Sequence, residues 1–341
     1  MAKLRELSNL YWSSCPDTEM ISLLARKGVK LILDLTEDEC SYELPPDIEK
    51  LAYPIPDFSF KAFESVLVDV VLPALSYLRA GNGVLIHCKA GIGRSGTTVS
   101  MITSLREGLG MEETLNRMLR LGYFGVTPAQ ELALRWFFRA RDLIGVDRIV
   151  ELVNILKSVR KGAANYWSLF DDHASTVAGV ALDVLEAISE DFGVVVNDLL
   201  CSYVAGLFHD VGRVLERDED KHHEVGANFV KSLREVGKWC NLDVVAKAVL
   251  HHRRRTDLLG DSSLSELGSS AQLIASALRL ADAFKNAYQG DGVYLRAEKR
   301  GSELVLLLNS SAYGQVSYAY LSWKAEAFSK LTGLKVKPEI V

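Results

Sequence analysis

The chain has 341 residues, of which 48% are hydrophobic and 24% are charged, and its formal net charge is −5. This length predicts two domains, and the composition is that of a folded globular protein rather than a disordered one. The slight negative charge disfavours binding to duplex nucleic acid. Neither a membrane-spanning run nor the apolar segment of a signal peptide is visible, so no membrane association is expected.

The cysteines are odd in number and widely spaced. They are Cys15, Cys40, Cys88, Cys201 and Cys240. Such a pattern predicts free thiols in a reducing compartment rather than a disulfide framework, and hence a cytoplasmic location. The oligomeric state stays open.

The first part of the chain alternates strand and helix patterns. Apolar runs at 29–35 and 84–87 predict buried strands. Helical patterns cover 17–27, 62–79, 97–107, 111–121 and 128–144. Two prolines exclude a helix from 53–58. This alternation predicts an α/β domain over residues 1–145, with a central sheet flanked by helices.

Helical periodicity dominates the chain from about residue 147. Apolar residues of one segment recur at the spacing of a buried helical stripe: Val177, Val180, Ala181, Val184, Leu185 and Ile188. We therefore predict an all-α domain over 146–289. A hairpin turning at Arg300-Gly301 and a helix near 322–331 predict a small α+β extension of it over 290–341.

The stretch "VLIHCKAGIGRSGTT" (84–98) joins a strand to a glycine-rich loop. The strand would deliver Cys88 to the carboxyl end of the sheet, where ligands of α/β proteins usually bind. Gly91, Gly93 and Gly96 allow successive backbone N–H groups to turn inward around an anion, and the helix that follows points its positive end there. Arg94 adds a planar fork for two phosphate oxygens. This field favours a thiolate, which is a nucleophile toward phosphorus.

The string His87-Cys88-x5-Arg94-Ser95 resembles the signature of the cysteine-dependent tyrosine and dual-specificity phosphatases. Over about residues 8–143 the chain is most similar to the small atypical dual-specificity phosphatases, whose general acid lies in a segment like "IPDF", here 55–58. This resemblance implies that Cys88 attacks phosphorus and that Arg94 binds the equatorial oxygens.

The same resemblance assigns the remaining roles around the loop. Asp57 would protonate the leaving oxygen and then activate water, Ser95 would hydrogen-bond the departing thiolate, and His87 would brace the loop. Gln130, in "TPAQE", would position the water. The phosphate-binding residues would be Lys89, Ala90, Gly91, Ile92, Gly93 and Arg94. The 3-phosphoinositide phosphatases have two lysines in this loop. Here Lys89 matches the first but Ile92 replaces the second, which makes an inositol phosphate a less favoured substrate.

Six of the seven histidines lie within one window of the predicted helical domain. They are His173, His209, His222, His223, His251 and His252. The doublet His209-Asp210 interrupts an apolar helix, where an unpaired carboxylate would be costly. Asp282, in "LRLADAF", is likewise polar within an apolar helix. Coordination of a metal by imidazole and carboxylate groups would remove this cost.

These residues resemble the HD superfamily of metal-dependent phosphohydrolases, whose ligands are a histidine, a His-Asp doublet and a distant aspartate. The resemblance implies His173, His209, Asp210 and Asp282 as ligands. "HHEVGA" (222–227) and "LHH" (250–252) resemble the extra ligands of binuclear members, so His222 and either His251 or His252 would hold a second metal bridged by Asp210. Which histidine of each pair, His222 or His223 and His251 or His252, is the ligand stays open. One or two ions of Mn, Fe, Co, Ni or Zn are expected.

The flanks of this region, including "LSWKAEAFSKLTGLKVK", resemble the C-terminal half of the exopolyphosphatase and guanosine pentaphosphatase family over about 148–339. Two functions follow. The chain is either a cysteine phosphatase joined to a metal-dependent phosphohydrolase for a nucleotide, polyphosphate or other phosphate ester, or a cysteine phosphatase whose helical half regulates it or binds its substrate. In both cases the partner is a phosphorylated protein or small molecule. "RRR" (253–255) is either a solvated helix end or a phosphate-binding group.

Overall fold

The computed structural model describes residues 4–38, 40–123, 127–160, 167–216, 218, 220–289, 293–310 and 316–341. The chain divides into two compact units. The first runs to Arg141 and includes a short segment that begins at Tyr288, and the second comprises Asp142–Ala287 and the chain from Val293 onward. The predicted boundary at residue 145 lies four residues after this division.

The first unit is built on a five-stranded sheet with the order β1-β2-β5-β3-β4. Its strands are β1 (Arg5–Leu7), β2 (Leu10–Ser13), β3 (Val29–Asp34), β4 (Glu49–Ala52) and β5 (Gly83–His87). Only the β1–β2 pair is antiparallel among these neighbours. Ser13 of β2 and Asp34 of β3 both pair in register with His87 of β5. The carboxyl ends of three neighbouring strands therefore meet at one edge of the sheet.

Helices accompany this sheet. They are α1 (Thr18–Arg26), α2 (Phe63–Val66), α3 (Leu72–Arg79), α4 (Gly93–Glu107), α5 (Met111–Arg120) and α6 (Pro128–Ile144), with a π-helical turn (Leu67–Val71) between α2 and α3. A packed cluster that includes Tyr11, Ile21 and Leu85 has side chains from β2, α1 and β5. The arrangement confirms the predicted α/β fold with a central sheet and helices.

Two details of the first unit differ from the prediction. Helix α4 begins at Gly93 rather than at 97, because the glycine-rich loop closes directly into the first helical turn. Strands β1, β2 and β4 were not predicted. β1 and β4 lie at the edges of the sheet and have mostly partly exposed residues, so they lack the apolar run by which a buried strand is recognised.

The structure joins Cys15 and Cys40 in a disulfide, with Cα atoms 5.7 Å apart. Cys88, Cys201 and Cys240 are free and buried. The prediction of free thiols is therefore wrong for the first pair. The two cysteines meet because of the order of the strands. Cys15 follows β2 and Cys40 follows β3, so both lie beyond the same edge of the sheet although they are distant in sequence. The cytoplasmic location stays a prediction that the cysteines no longer support.

The second unit is mainly helical. Its helices are α7 (Val146–Arg160), α8 (Trp167–Ala187), α9 (Ser189–Phe192), α10 (Val196–Phe208), α11 (Gly212–Leu215), α12 (His222–Lys231), α13 (Leu242–His251), α14 (Ser262–Glu266), α15 (Ser269–Ala281) and α16 (Tyr318–Thr332), with a 3₁₀ helix at Val236–Lys238. The stripe from Val177 to Ile188 on α8 is buried, as predicted. Every residue of α10 from Leu199 to Phe208 is buried as well.

A small sheet completes the second unit. β6 (Tyr294–Arg300) and β7 (Glu303–Leu308) form the predicted hairpin, and β8 (Lys335–Ile340) adds a parallel strand beside β7. The fold class of a helical region with a small α+β tail is thereby confirmed. Within the described residues, no helix combines the length and apolar character that crossing a bilayer requires.

Candidate active sites

Cys88 lies directly after β5, at the edge of the sheet where β2 and β3 also end. The residue is 2% exposed. Its Sγ accepts a hydrogen bond from the backbone N–H of Gly91 at 3.3 Å and lies 3.3 Å from Oγ of Ser95. Because α4 begins at Gly93, its positive end faces the same loop. The loop thus surrounds one sulfur with groups that stabilise negative charge.

Arg94, in the first turn of α4, pairs with Asp57 of the "IPDF" segment. The Arg94 guanidinium is nearly buried and donates to the backbone oxygen of Ile55 at 2.7 Å, and its second nitrogen lies 2.8 Å from Oδ1 of Asp57. The Asp57 side chain is 48% exposed. One cation therefore holds the "IPDF" segment at two points, and it leaves the carboxyl of Asp57 accessible to a substrate.

Gln130 is 2% exposed and tied to the same segment. Its Nε2 donates to the backbone oxygen of Ser59 at 3.1 Å, and its Oε1 accepts from the backbone N–H of Thr127 at 3.1 Å. A methyl group at Gly93 would lie 2.6 Å from Oε1. In this arrangement the amide supports both the loop that carries Asp57 and the phosphate loop.

His87 is fully buried beneath the loop. Its Nε2 lies 3.0 Å from the Tyr42 hydroxyl, and its Nδ1 lies 3.7 Å from Oδ1 of Asp34. Burial lowers the pKa of His87 to about 4, with Asp34 opposing this shift and Lys50 adding to it. Burial alone would raise the pKa of Asp34, but hydrogen bonds from Thr36 and Lys50 lower it below its ordinary value. The imidazole is therefore neutral at physiological pH.

The rim of the loop is less polar than its centre. Lys89 is directed to Asp38, with 3.2 Å between Nζ and Oδ2, and both side chains are exposed. Ala90 is exposed too. Ile92 is 36% exposed and Phe58, which adopts a φ of 59°, is 65% exposed. Two apolar side chains thus adjoin the residues that meet at the Asp57–Arg94 contact.

The second unit brings six predicted ligands into two adjacent groups. In the first group, His173 and His209 have Nε2 atoms 3.2 Å apart, and Oδ1 of Asp282 lies 3.3 Å from the former and 3.7 Å from the latter. Their Nδ1 atoms lie 2.9 Å and 2.7 Å from the backbone oxygens of Lys285 and Gly206. This arrangement places the proton on Nδ1 and leaves both Nε2 lone pairs facing the same point.

The second group is formed by Asp210, His222 and His252. The two Nε2 atoms are 3.2 Å apart and lie 3.4 Å and 3.5 Å from Oδ1 of Asp210. The other oxygen of Asp210, Oδ2, lies 3.6 Å from His209 Nε2 and 3.9 Å from His173 Nε2. The carboxylate of Asp210 therefore faces both groups, one oxygen toward each.

The charges in this cluster fit a cation. Burial lowers the pKa of His209 to about 4, so this ring is neutral at physiological pH. Burial by itself would raise the pKa of Asp210 and of Asp282, but neighbouring histidines, with Lys324 beside Asp282, hold both pKa values well below the ordinary range. Imidazole nitrogens that face each other around ionised carboxylates are the donor set of a transition metal.

Two family models match the chain. Residues 8–108 match a model described as a polymorphic toxin system DSP-PTPase phosphatase, and residues 170–287 match the HD domain. The chain carries a DSP-type phosphatase domain followed by an HD domain. These two assignments make it a phosphoric ester hydrolase.

Solved structures similar to the chain overlap about two fifths of it. Tk-PTP in its active form is 28% identical, with 39% of this chain and 93% of that chain covered and a TM-score of 0.35. Human DUSP28 is 19% identical, with 41% and 95% covered and a TM-score of 0.37. TpbA of P. aeruginosa is 24% identical, with 44% and 90% covered and a TM-score of 0.32. A comparison with curated proteins gave no match.

The structure places one residue of the expected ligand set of the HD domain elsewhere. His251 directs Nε2 to Oδ2 of Asp261 at 2.8 Å and belongs to neither group. Asp261 also caps the start of α14 through its other oxygen. Consecutive residues at the end of α13 point in different directions, so only His252 reaches Asp210. His223 also lies outside both groups.

Sequence reasoning missed several residues that contact the two sites. In the phosphatase domain they are Asp34 and Tyr42 beside His87, and Arg5, which donates to the backbone oxygen of Gly91 at 2.9 Å. In the second unit they are Arg213, 2.8 Å from Oδ1 of Asp210, and Lys324. Two of these residues could have been noticed in the sequence. Asp34 ends an apolar strand, and Lys324 interrupts the apolar stripe of α16.

Proposed function

We propose that the phosphatase domain hydrolyses phosphomonoesters through a phosphocysteine at Cys88. The sulfur attacks phosphorus as the ester P–O bond breaks, and Asp57 gives its proton to the departing oxygen. Asp57 then takes a proton from the water that displaces the sulfur, which releases inorganic phosphate and restores the thiolate. The observation that carries this proposal is the sulfur held between the Gly91 N–H and Ser95, in a loop whose Arg94 pairs with Asp57.

An aryl phosphate such as phosphotyrosine is the substrate class that we propose for Cys88. The exposed Phe58 and Ile92 offer apolar surface to an aromatic ring beside the scissile bond. A polyanionic inositol phosphate would need cationic side chains where Phe58 and Ile92 stand. Lys89, the one lysine of this loop, is paired with Asp38. A phosphoserine or phosphothreonine peptide would gain less from the same apolar rim.

We further propose that the HD domain is a second, metal-dependent phosphohydrolase. His173, His209 and Asp282 would hold one divalent transition ion, and His222 and His252 a second, with Asp210 facing both. A bound ion would polarise a phosphate group and lower the pKa of water. Arg213, close to Asp210, offers a guanidinium to a phosphate oxygen. We propose nucleotides and polyphosphates as the substrates of the HD domain, from the predicted resemblance of the flanking sequence to the exopolyphosphatase family, which the family matches do not include.

A phosphate-release screen with and without chelator tests both proposals on the full chain. We expect chelator-resistant hydrolysis of aryl phosphates that Cys88→Ser abolishes, with Cys240→Ser as a matched control in which a buried free thiol is changed in the other unit. We also expect a chelator-sensitive activity on phosphoanhydrides that survives Cys88→Ser. Substantial chelator-resistant turnover by Cys88→Ser would contradict the first proposal. A metal-loaded chain that hydrolyses nothing after Cys88→Ser would favour a regulatory HD domain.

A further inference from the structure

Lys324 is a buried lysine of the C-terminal helix α16. Its side chain is 3% exposed, and it lies outside residues 170–287 that match the HD domain. Burying an ammonium group is costly unless it is paired and hydrogen-bonded. The partners of Lys324 therefore indicate why this position is a cation.

Both partners of Lys324 belong to the metal-binding groups. Its Nζ pairs with Oδ2 of Asp282 and donates to the backbone oxygen of His252 at 3.0 Å. The ring of Tyr320, one turn earlier on α16, lies 5.5 Å from the same nitrogen. One ammonium group thus links a carboxylate of the first group to the main chain that carries a histidine of the second.

The contact with Asp282 determines which oxygen faces the histidines. Because Oδ2 is held by Lys324, Oδ1 is the atom that lies 3.3 Å from His173 and 3.7 Å from His209. Without the ammonium, the carboxylate could rotate and present both oxygens, or turn away. Lys324 therefore leaves Asp282 with a single oxygen for an ion.

The contact with His252 fixes the end of α13. Buried Arg279 donates to the backbone oxygen of the preceding residue, His251, at 2.8 Å, so cations hold two successive carbonyls at this helix terminus. Positive charge is favourable there because the helix dipole is negative at its carboxyl end. The pair of cations sets the position from which the His252 ring reaches Asp210.

We infer that Lys324 is a positioning residue of the proposed metal centre, which holds Asp282 as a one-oxygen ligand and fixes the backbone of His252. The inference rests on the proposed metal site. It makes α16 part of the centre, although this helix supplies none of the described ligand atoms.

Positioning and charge predict opposite effects on metal affinity. An ammonium group beside the site repels a dication, so if charge alone mattered its removal would tighten binding. Loss of a partner that orients a ligand instead weakens binding, by roughly 10- to 100-fold for such groups. The sign of the change therefore separates the two roles.

The experiment is competition between the full-length protein and a chelator for Zn²⁺ and Co²⁺. We expect Lys324→Met to weaken binding about 10- to 100-fold and to change the visible spectrum of bound Co²⁺, because Asp282 becomes free to bind through both oxygens. Lys330→Met is the matched control, since Lys330 lies on the same helix but is exposed, and its partner among the described residues is Glu326 at 2.7 Å. This control should retain the wild-type affinity and spectrum.

Outcomes distinguish the inference from the function on which it rests. A wild-type protein that binds neither ion overturns the metal site and the inference together. A wild-type protein that binds metal, with Lys324→Met binding it equally or more tightly, overturns the inference alone. Thermal unfolding in chelator verifies that the variant is folded. If it is not, Lys324→Gln, which also removes the charge and is too short to hold both partners, replaces it with the same expected result.

Discussion

The carboxyl of Asp57 reaches the phosphate loop through Arg94, whose guanidinium lies 2.8 Å from Oδ1. The same guanidinium holds the backbone oxygen of Ile55, and Gln130 of α6 holds that of Ser59, so the segment is fixed on both sides of the aspartate. The half-exposed carboxyl is the acidic group of this segment, and we propose that it protonates the leaving oxygen of a substrate bound at Cys88. If Asp57 is the acid, the loss of rate on its removal should depend on the leaving group of the substrate.

Asp57→Asn is expected to reduce kcat for an alkyl phosphate by about 10²–10⁴-fold, the usual contribution of general acid catalysis. The loss should be smaller for nitrophenyl phosphate, because nitrophenolate departs without a proton. Steady-state kinetics with the two substrates measure this difference. Asp38→Asn, which removes an exposed carboxylate that pairs with Lys89, is the control. An equal loss for both leaving groups would rule out Asp57 as the acid.

The buried imidazole of His87 should make the protein sensitive to mild acid. Its pKa in the folded protein is about 4, below the ordinary 6.5, so the unfolded chain takes up this proton first as the pH falls. The stabilising contribution is complete above about pH 6.5 and is lost progressively toward pH 4. Among the described residues, the titratable groups around the ring are Asp34, Tyr42 and Lys50, and the sulfur of disulfide-bonded Cys40 lies 3.9 Å from Nδ1.

Thermal unfolding of the full chain between pH 4 and 7.5 tests this sensitivity. Relative to wild type, His87→Asn should show a shallower decline of Tm through this range, since the asparagine does not titrate. Using the difference between the two proteins removes the contributions of the other histidines. Parallel curves would mean that folding does not lower the pKa of His87.

At the scale of elements, the phosphate loop depends on how closely it approaches the end of β2. Gly91 has a φ of +69°, and a methyl group there would lie 2.3 Å from the backbone nitrogen of Ser14 and 2.4 Å from the carbonyl carbon of Ser13. The backbone atoms of Ser13 and Ser14 cannot move aside as the end of a flexible side chain could. The loop therefore takes its shape from the strand beside it as well as from its own glycines.

Gly91→Ala is expected to abolish chelator-resistant phosphatase activity, because the backbone must move and the N–H bond to Cys88 is lost. Gly81→Ala is the matched control: Gly81 has a φ of +82° but no atom within 4 Å of the added methyl group. It shares the backbone strain of a left-handed alanine without the clash. Equal activity of the two variants would show that the approach to β2 is not required.

At the scale of the whole molecule, each candidate site is built from residues of a single unit. Residues around Cys88 come from the first unit, and the two ligand groups with Lys324 come from the second. The chemistry also differs, since one site uses a protein nucleophile and the other a donor set for metal. We therefore expect the two sites to be separable by mutation.

The double variant His209→Ala/Asp210→Ala tests this separation. Elemental analysis of the wild-type protein should find about one to two transition ions per chain, as mononuclear or binuclear centres require. The double variant should lose them together with chelator-sensitive hydrolysis, while nitrophenyl phosphate hydrolysis at Cys88 persists. A folded double variant that has lost Cys88 activity would instead favour regulation by the HD domain. A metal-free wild type with a folded helical unit would make the histidines structural.

Local sequence determined the strongest features of both units. The strand, the glycine-rich loop and the helix around Cys88 are contiguous, so their type and order can be predicted from residues 83–107. The buried stripe of α8 follows from helical periodicity in the same way. His209 and Asp210 were conspicuous because two polar residues lay inside an apolar segment, and that signal needs no partner to be visible.

Tertiary structure decided what depends on distant partners. His252 rather than His251 joins the second ligand group, because His251 contacts Asp261 and His252 faces Asp210. The tertiary structure joined Cys15 to Cys40, which sequence spacing had predicted to be free. It also placed Lys324 against Asp282, a pairing that no local pattern contains. Contiguous segments reveal their own hydrogen bonds and periodicity, whereas the direction of a side chain and the identity of its partner depend on how distant elements pack.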